Sequence, residues 1–172
     1  QTQTAPLRSR YLKALVPVAS QQDNFGHWYS DGAFQLYVAL NFMNMAGRTL
    51  HRNIRELFNS EELYRRLPLV SALDDIVDIP FVRDAVRHST YDDHWSSYSL
   101  RDRYGEVEAP AYFITGWYDN LAHETFKLYK GWSEQAGSFE ARRLSKLLVG
   151  PWDHKRIGSS EVFGSFDFGP AS

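Results

Sequence analysis

Two stretches decide how this chain folds: Pro110-Ala111-Tyr112-Phe113-Ile114-Thr115-Gly116-Trp117-Tyr118-Asp119 and Leu144-Ser145-Lys146-Leu147-Leu148-Val149-Gly150-Pro151-Trp152-Asp153-His154. Pro110 to Thr115 is a short apolar run bounded by Pro110 and Gly116, which predicts a buried strand. Leu144 to Val149 predicts another, closed by Gly150-Pro151. Between them, Ala122, Phe126, Tyr129, Trp132 and Ala136 recur at helical spacing, so a helix is expected from Asn120 to Ala136, ended by Gly137. Strand, helix and strand of this length make a right-handed parallel crossover. In an open parallel sheet, sites form beyond the carboxyl ends of the strands. Those ends carry Asp119 and His154, 35 positions apart. Adjacent parallel strands bring both side chains to one sheet edge. An Asp there holds the Nδ1–H of a His, and the His can act as general base toward a hydroxyl. A plainer reading stays open beside it. An Asp after a Gly-aromatic turn also serves as an Asx-turn or N-cap residue, and a His after Gly-Pro also serves as a surface loop residue.

Upstream the pattern differs. Leu12 to Ala19 is apolar and Val-containing, which predicts a strand, although Pro17 removes one ladder hydrogen bond. Ser20 to Ser30 reads as a loop with Phe25, Trp28 and Tyr29 set in it. Asp31 is placed to cap a helix from Ala33 to Ala46, ended by Gly47. Further helices are expected at Ile54 to Phe58, from Glu61 to the stop at Pro68, and from Phe81 to His88. Ser99-Leu100-Arg101-Asp102 resembles a capping box. Residues from about 31 to 104 thus read as a helical block with short connections. After Ile157 the chain reads as irregular.

Composition narrows the function classes. The 172 residues carry a formal net charge of −2 and no cysteine, with 43% hydrophobic and 15% aromatic residues. That length suits one domain with a sizeable core. The charge balance, with a pI near 6.3, gives no footprint for nucleic acid. Disulfide frameworks, thiolate metal sites and cysteine nucleophiles are excluded. No apolar run approaches the length of a membrane span. His88, Asp92, Asp93 and His94 contain usable metal ligands, but they straddle a predicted helix end without a known motif and read as a solvated terminus. The compartment stays open.

Gly116-Trp117-Tyr118-Asp119 and Gly150-Pro151-Trp152-Asp153-His154 resemble the GWYD and GPWxH signatures of the cocaine esterase/X-Pro dipeptidyl-peptidase family (CocE/NonD, the S15 group). Trp28 to Phe34 resembles the entry to that family's helical cap. Tyr91-Asp92-Asp93-His94-Trp95 resembles its YDDxW element, and Phe166-Asp167-Phe168-Gly169-Pro170 its DFGP exit. The resemblance runs from about Leu12 to Pro170. It implies an α/β class, the C-terminal part of an α/β-hydrolase fold with an inserted helical cap. The implied organisation is a core strand in 1–19, a cap over 20–108, the last strand–helix–strand unit over 109–160, and an exit over 161–172 toward a C-terminal β-sandwich.

The resemblance also implies that Asp119 and His154 are the acid and base of a serine-hydrolase triad acting on acyl esters, amides or X-Pro peptides, with no cofactor and no metal. Trp28, Tyr118 and Leu121 are the implied substrate contacts. For Trp28 and Tyr118, packing within the cap or beneath the site is the alternative. Apolar Leu121 and Ala122 stand near the places where the α-amino-acid ester hydrolase branch has acidic residues that bind the substrate's ammonium, which argues against that substrate class. The family's nucleophile lies in a G-x-S-Y-x-G elbow, and no G-x-S-x-G occurs in these residues. Gly131-Trp132-Ser133-Glu134-Gln135 fails at its last position and falls on the predicted helix. The expectation is therefore a segment from a longer hydrolase, inactive alone, self-associating through the apolar surface it exposes, and completed by the rest of the same protein. The contrasting class is a non-catalytic helical interaction or scaffold module.

Overall fold

The computed structural model describes residues 2–39, 65–68, 71, 80–159 and 162–169. The chain forms two compact units, Gln1–Asn24 with Trp95–Ser172, and Phe25–His94.

In the first unit, β3 (Tyr112–Tyr118) pairs in parallel with β4 (Lys146–Asp153). The helix α4 (Ala122–Gln135) and the short helix α5 (Phe139–Leu144) connect them. α5 is absent from the sequence reading. Ser138 starts it by accepting the Ala141 amide on its hydroxyl at 2.9 Å. Both strands outrun their predicted ends. β3 continues through Gly116 to Tyr118, and β4 starts at Lys146 and continues through Gly150-Pro151 to Asp153.

The segment 12–19 lies parallel to β3. Leu15 N–H donates to Pro110 O, Tyr112 N–H to Leu15 O, Ile114 N–H to Pro17 O and Ala19 N–H to Ile114 O, at 2.9–3.1 Å. The register sets the Pro17 nitrogen opposite the Tyr112 carbonyl, and proline has no N–H to give it. The pairing therefore survives as two isolated bridges, Leu15 with Ala111 and Val18 with Ile114, on either side of that gap.

One face of this sheet builds the core. Phe113 is fully buried and meets Trp132 of α4 edge-on at 5.3 Å. The Trp132 indole N–H donates to Ala109 O at 3.1 Å, so its polar atom is satisfied in the interior. Leu128, Leu100, Val107 and Ala141 complete the cluster with no exposure. The opposite face carries Val16, Val18, Tyr112 and Leu148, all exposed.

The second unit corrects the sequence reading at its start. Ser20 to Ser30 is not only loop, since α1 occupies Asn24–Trp28. Ala33 does not begin a helix. Tyr29–Ser30 (β1) and Ala33–Phe34 (β2) form an antiparallel hairpin instead. Asp31 at φ 49° and Gly32 at φ 84° make its two-residue turn. Asp-Gly with both residues at positive φ is the turn whose twist suits a tight hairpin, and that preference overrides the capping role read for Asp31. Helical conformation begins at residue 36 and holds to 39. The helices expected at Ile54 to Phe58 and from Glu61, and the rest of the one expected to Ala46, lie outside the described residues. Further on, α2 spans Pro80–Arg87, close to its predicted place, and α3 spans Asp93–Ser96. The Tyr29 hydroxyl donates to Ala85 O of α2 at 2.9 Å. Beyond β4, residues expected to be irregular include a two-residue hairpin, β5 (Val162–Phe163) with β6 (Phe166–Asp167).

Trp132→Ala removes the largest fully buried side chain together with its hydrogen bond. Its expected cost is about 3–5 kcal/mol, read as a lowered urea midpoint.

Candidate active site

β3 and β4 run in step from Tyr112 opposite Lys146 to Gly116 opposite Gly150. The next pair is Tyr118 opposite Asp153, so β4 has gained one residue. Without that bulge, counting onward would set Asp119 opposite Asp153, two carboxylates face to face. With it, Asp119 comes opposite His154. Two glycines make the slip possible. A Cβ on Gly116 would lie 2.0 Å from Trp152 O, and one on Gly150 would lie 2.5 Å from the Trp152 indole. The Trp152 backbone and ring occupy the space that side chains would take there.

The outcome is a buried carboxylate against a half-exposed imidazole. His154 Nδ1 lies 3.1 Å from Asp119 Oδ1, with the Asp119 side chain fully buried and the His154 side chain 53% exposed. An ionised carboxylate only accepts, so Nδ1 carries the proton and donates. In the neutral ring this leaves Nε2 with its lone pair free to take a proton. Asp119 Oδ1 also accepts the Leu121 amide at 2.7 Å. The Asx-turn reading and the pairing with His154 therefore hold together on one oxygen. Oδ2 is buried and has no hydrogen-bond partner among the described residues.

Tyr118 and Leu121 flank Asp119 in sequence. Tyr118 is 41% exposed, its ring tilted against Phe168 at 6.3 Å, whereas Leu121 is buried and is the N-cap residue just before α4. Trp28 belongs to the other unit, where it is buried, stacked on Phe34 at 6.0 Å and edge-on to Phe81 at 6.3 Å. In that same unit His88 Nδ1 lies 2.7 Å from Asp92 Oδ2, and the His88 and His94 rings stack at 4.3 Å. Among the described residues no group of three or more His, Cys, Asp or Glu is placed to hold a metal ion, and no helix is long and apolar enough to cross a membrane.

Sequence reasoning passed over a buried polar cluster behind the site. Glu124, in the first turn of α4, is 2% exposed, with Lys127 Nζ at 3.1 Å and His123 Nδ1 at 3.6 Å from its Oε1. Fully buried Asp23 accepts both Nε and Nη2 of Arg101 on Oδ2, at 3.2 and 2.9 Å. Burial raises the Glu124 carboxyl above its ordinary range, helped by the nearby Asp23 and opposed by Lys127 and His123. The only available signal was an acidic residue at a position whose helical neighbours are core.

This fold is part of an α/β hydrolase. Residues 1–156 match the X-Pro dipeptidyl-peptidase (S15 family), and the chain belongs to that family. The cocaine esterase of Rhodococcus sp. (strain MB1 Bresler) is 27% identical over 165 residues, covering 85% of this chain and 27% of that protein. The crystal structure of an aminopeptidase from a marine sediment archaeon, Thaumarchaeota archaeon, superposes with a TM-score of 0.69 at 20% identity, covering 95% of this chain and 28% of the other. That last likeness is one of fold. The chain thus spans little more than a quarter of the length of either protein.

Gly116→Ala drives a methyl into the Trp152 carbonyl. Its expected cost is about 1–3 kcal/mol. The ring ¹⁵N shifts of His154 should then move to those of an imidazole no longer bonded to Asp119. Glu124→Gln tests the buried carboxyl through pH. The native chain holds the Glu124 proton to higher pH than the unfolded chain, so native stability falls as pH rises through that window and the full penalty stands above it. The urea midpoint of the Gln variant should therefore gain on the parent between about pH 4 and pH 7. An equal gap at both pH values would count against a raised carboxyl.

Proposed function

We propose that residues 1–172 supply the acid and base of a serine hydrolase that cleaves acyl esters, amides or X-Pro dipeptides. The observation that carries this reading is the Asp119–His154 pair, 3.1 Å apart at the ends of two adjacent parallel strands, with the carboxylate buried and the imidazole open. Asp119 orients the ring and stabilises its imidazolium form. His154 deprotonates a serine carried by an upstream elbow and returns the proton to the leaving group. The acyl-enzyme so formed is released by water after the same base activates it. Membership of the S15 family, matched over residues 1–156, supports this chemistry.

In this reading residues 20–108 form a cap, residues 109–160 the last unit of the core, 1–19 one of its strands, and 161–172 an exit toward a C-terminal sandwich. Tyr118, Leu121 and Trp28 contact the substrate, the last as part of the cap. The nucleophile lies outside the 172 residues, so they hydrolyse nothing by themselves. Exposed Val16, Val18, Tyr112 and Leu148 on one sheet face favour self-association of the isolated chain.

The test is p-nitrophenyl acetate turnover. Residues 1–172 alone should give the background rate. The longer protein carrying the elbow should turn over substrate, and His154→Ala in it should lower kcat by about 10³-fold or more. Turnover by residues 1–172 alone that is abolished by His154→Ala would overturn the assignment of the nucleophile. Undiminished turnover by the longer variant would overturn the role of His154.

A further inference from the structure

Asp119 sits in a loop between a strand and a helix, and its carboxylate reaches His154 only if that loop holds its place. A continuous run of hydrogen bonds ties it to the sheet. Asp119 Oδ1 accepts the Leu121 amide at 2.7 Å, Leu121 O accepts the Thr125 amide at 2.8 Å, and the Thr125 hydroxyl donates to Ser20 O at 2.7 Å. Next to Ser20, the Ala19 amide donates to Ile114 O of β3 at 2.9 Å. The loop that carries the acid is thus bonded back to the strand from which it left, through a segment almost a hundred residues earlier. Thr125 is fully buried, and so is Asp23, three residues on from Ser20. The link has a second anchor. Gln22 O accepts the Leu100 amide at 2.9 Å, Gln22 Oε1 accepts the Tyr104 hydroxyl at 3.1 Å, and Asp23 holds Arg101. These bonds fix residues 20–23 to residues 100–104.

We propose that Thr125, bonded to Ser20, is a positioning residue that holds Asp119 against His154, and that the Asp23–Arg101 pair keeps Ser20 in place behind it. Among the described residues Thr125 is hydrogen-bonded to Leu121 and Ser20 rather than to Asp119 or His154, so it acts through the Leu121 turn. A valine in its place has nearly the same shape and keeps the helix amide bonds, but gives nothing to Ser20 O. A serine keeps the hydroxyl. The assignment rests on the reading of Asp119 and His154 as acid and base, yet the link itself can be measured without any catalysis.

The experiment uses residues 1–172 and reads amide hydrogen exchange at Leu100, Leu121 and the β3–β4 ladder, with the ring ¹⁵N shifts of His154 alongside. In Thr125→Val, the Leu121 amide should exchange about 10-fold faster or more, and the His154 signals should move toward those of an unpaired ring, while Leu100 and the ladder amides stay as in the parent. Thr125→Ser should restore both readouts. Arg101→Met should speed exchange at Leu100 and Leu121 together, again without change in the ladder, and Arg101→Lys should recover part of the loss. Unchanged Leu121 and His154 signals in Thr125→Val overturn the proposal. So does an equal rise across the ladder, which would make Thr125 an ordinary core residue, and so does a failure of Thr125→Ser to restore. Should the longer protein prove to hydrolyse nothing while these signals behave as expected, the catalytic reading falls and the positioning link stands.

Discussion

The extra residue that β4 takes up between Gly150 and Asp153 governs the rest of the site. Parallel neighbours fix which side chains meet across a sheet, and a change of one residue sends a side chain to the opposite face. Here that change converts a repulsive juxtaposition of two carboxylates into a pairing of a carboxylate with an imidazole. Trp152 makes the conversion possible by filling the space over Gly116 and Gly150, which face each other across the two strands. The glycines and the tryptophan in the two signatures are thus the residues that let the Asp and the His meet.

A buried carboxylate needs compensation, since removing an ion from water costs several kcal/mol unless charge and hydrogen bonds repay it. Asp119 is compensated on one oxygen by an amide and an imidazole and on the other by nothing among the described residues. Asp23 is compensated by two nitrogens of Arg101, while burial raises the Glu124 carboxyl even though Lys127 stands 3.1 Å from its Oε1. Three buried acids therefore reach three different balances within one unit. The one with the weakest intrinsic compensation by fixed charge, Asp119, depends most on the position of a neighbouring ring.

Much of this was legible in the residues. The apolar runs bounded by Pro and Gly, and the helical spacing through Trp132, marked β3, α4 and β4, because burial against one partner imposes a single period on each. The crossover brought Asp119 and His154 to one sheet edge but left the Asx-turn and loop readings open beside their pairing, and the resemblance to the two signatures favoured the pair. The strand ends were not legible, because Gly150-Pro151 is ordinarily a stop, and only the packing of Trp152 shows why the ladder runs past it. At Asp31-Gly32 two local preferences competed, helix capping by Asp and a tight turn by Asp-Gly, and positive φ at both residues decided for the turn. Thr125 escaped notice because its partner Ser20 lies about a hundred positions away, and Glu124 because the burial that sets it apart comes from packing. No periodicity reports an interaction of that kind.

α4 serves two purposes that cannot be separated. Its middle turns bury Leu128 and Trp132 against Phe113, and its first turn holds Asp119 through Leu121 and Thr125. A rigid helix transmits a shift at one end to the other, since the packed interior has no slack to absorb it. Core packing around Trp132 and the bonds of the first turn thus meet on one helix. Ala19 stands at a φ of 45°, a conformation unfavourable for a residue with a Cβ. That residue carries the amide bonded to Ile114, and the next one offers the carbonyl that Thr125 grips, so the two bonds that join the strand to the Asp119 loop meet at adjacent residues, one of them in the left-handed region.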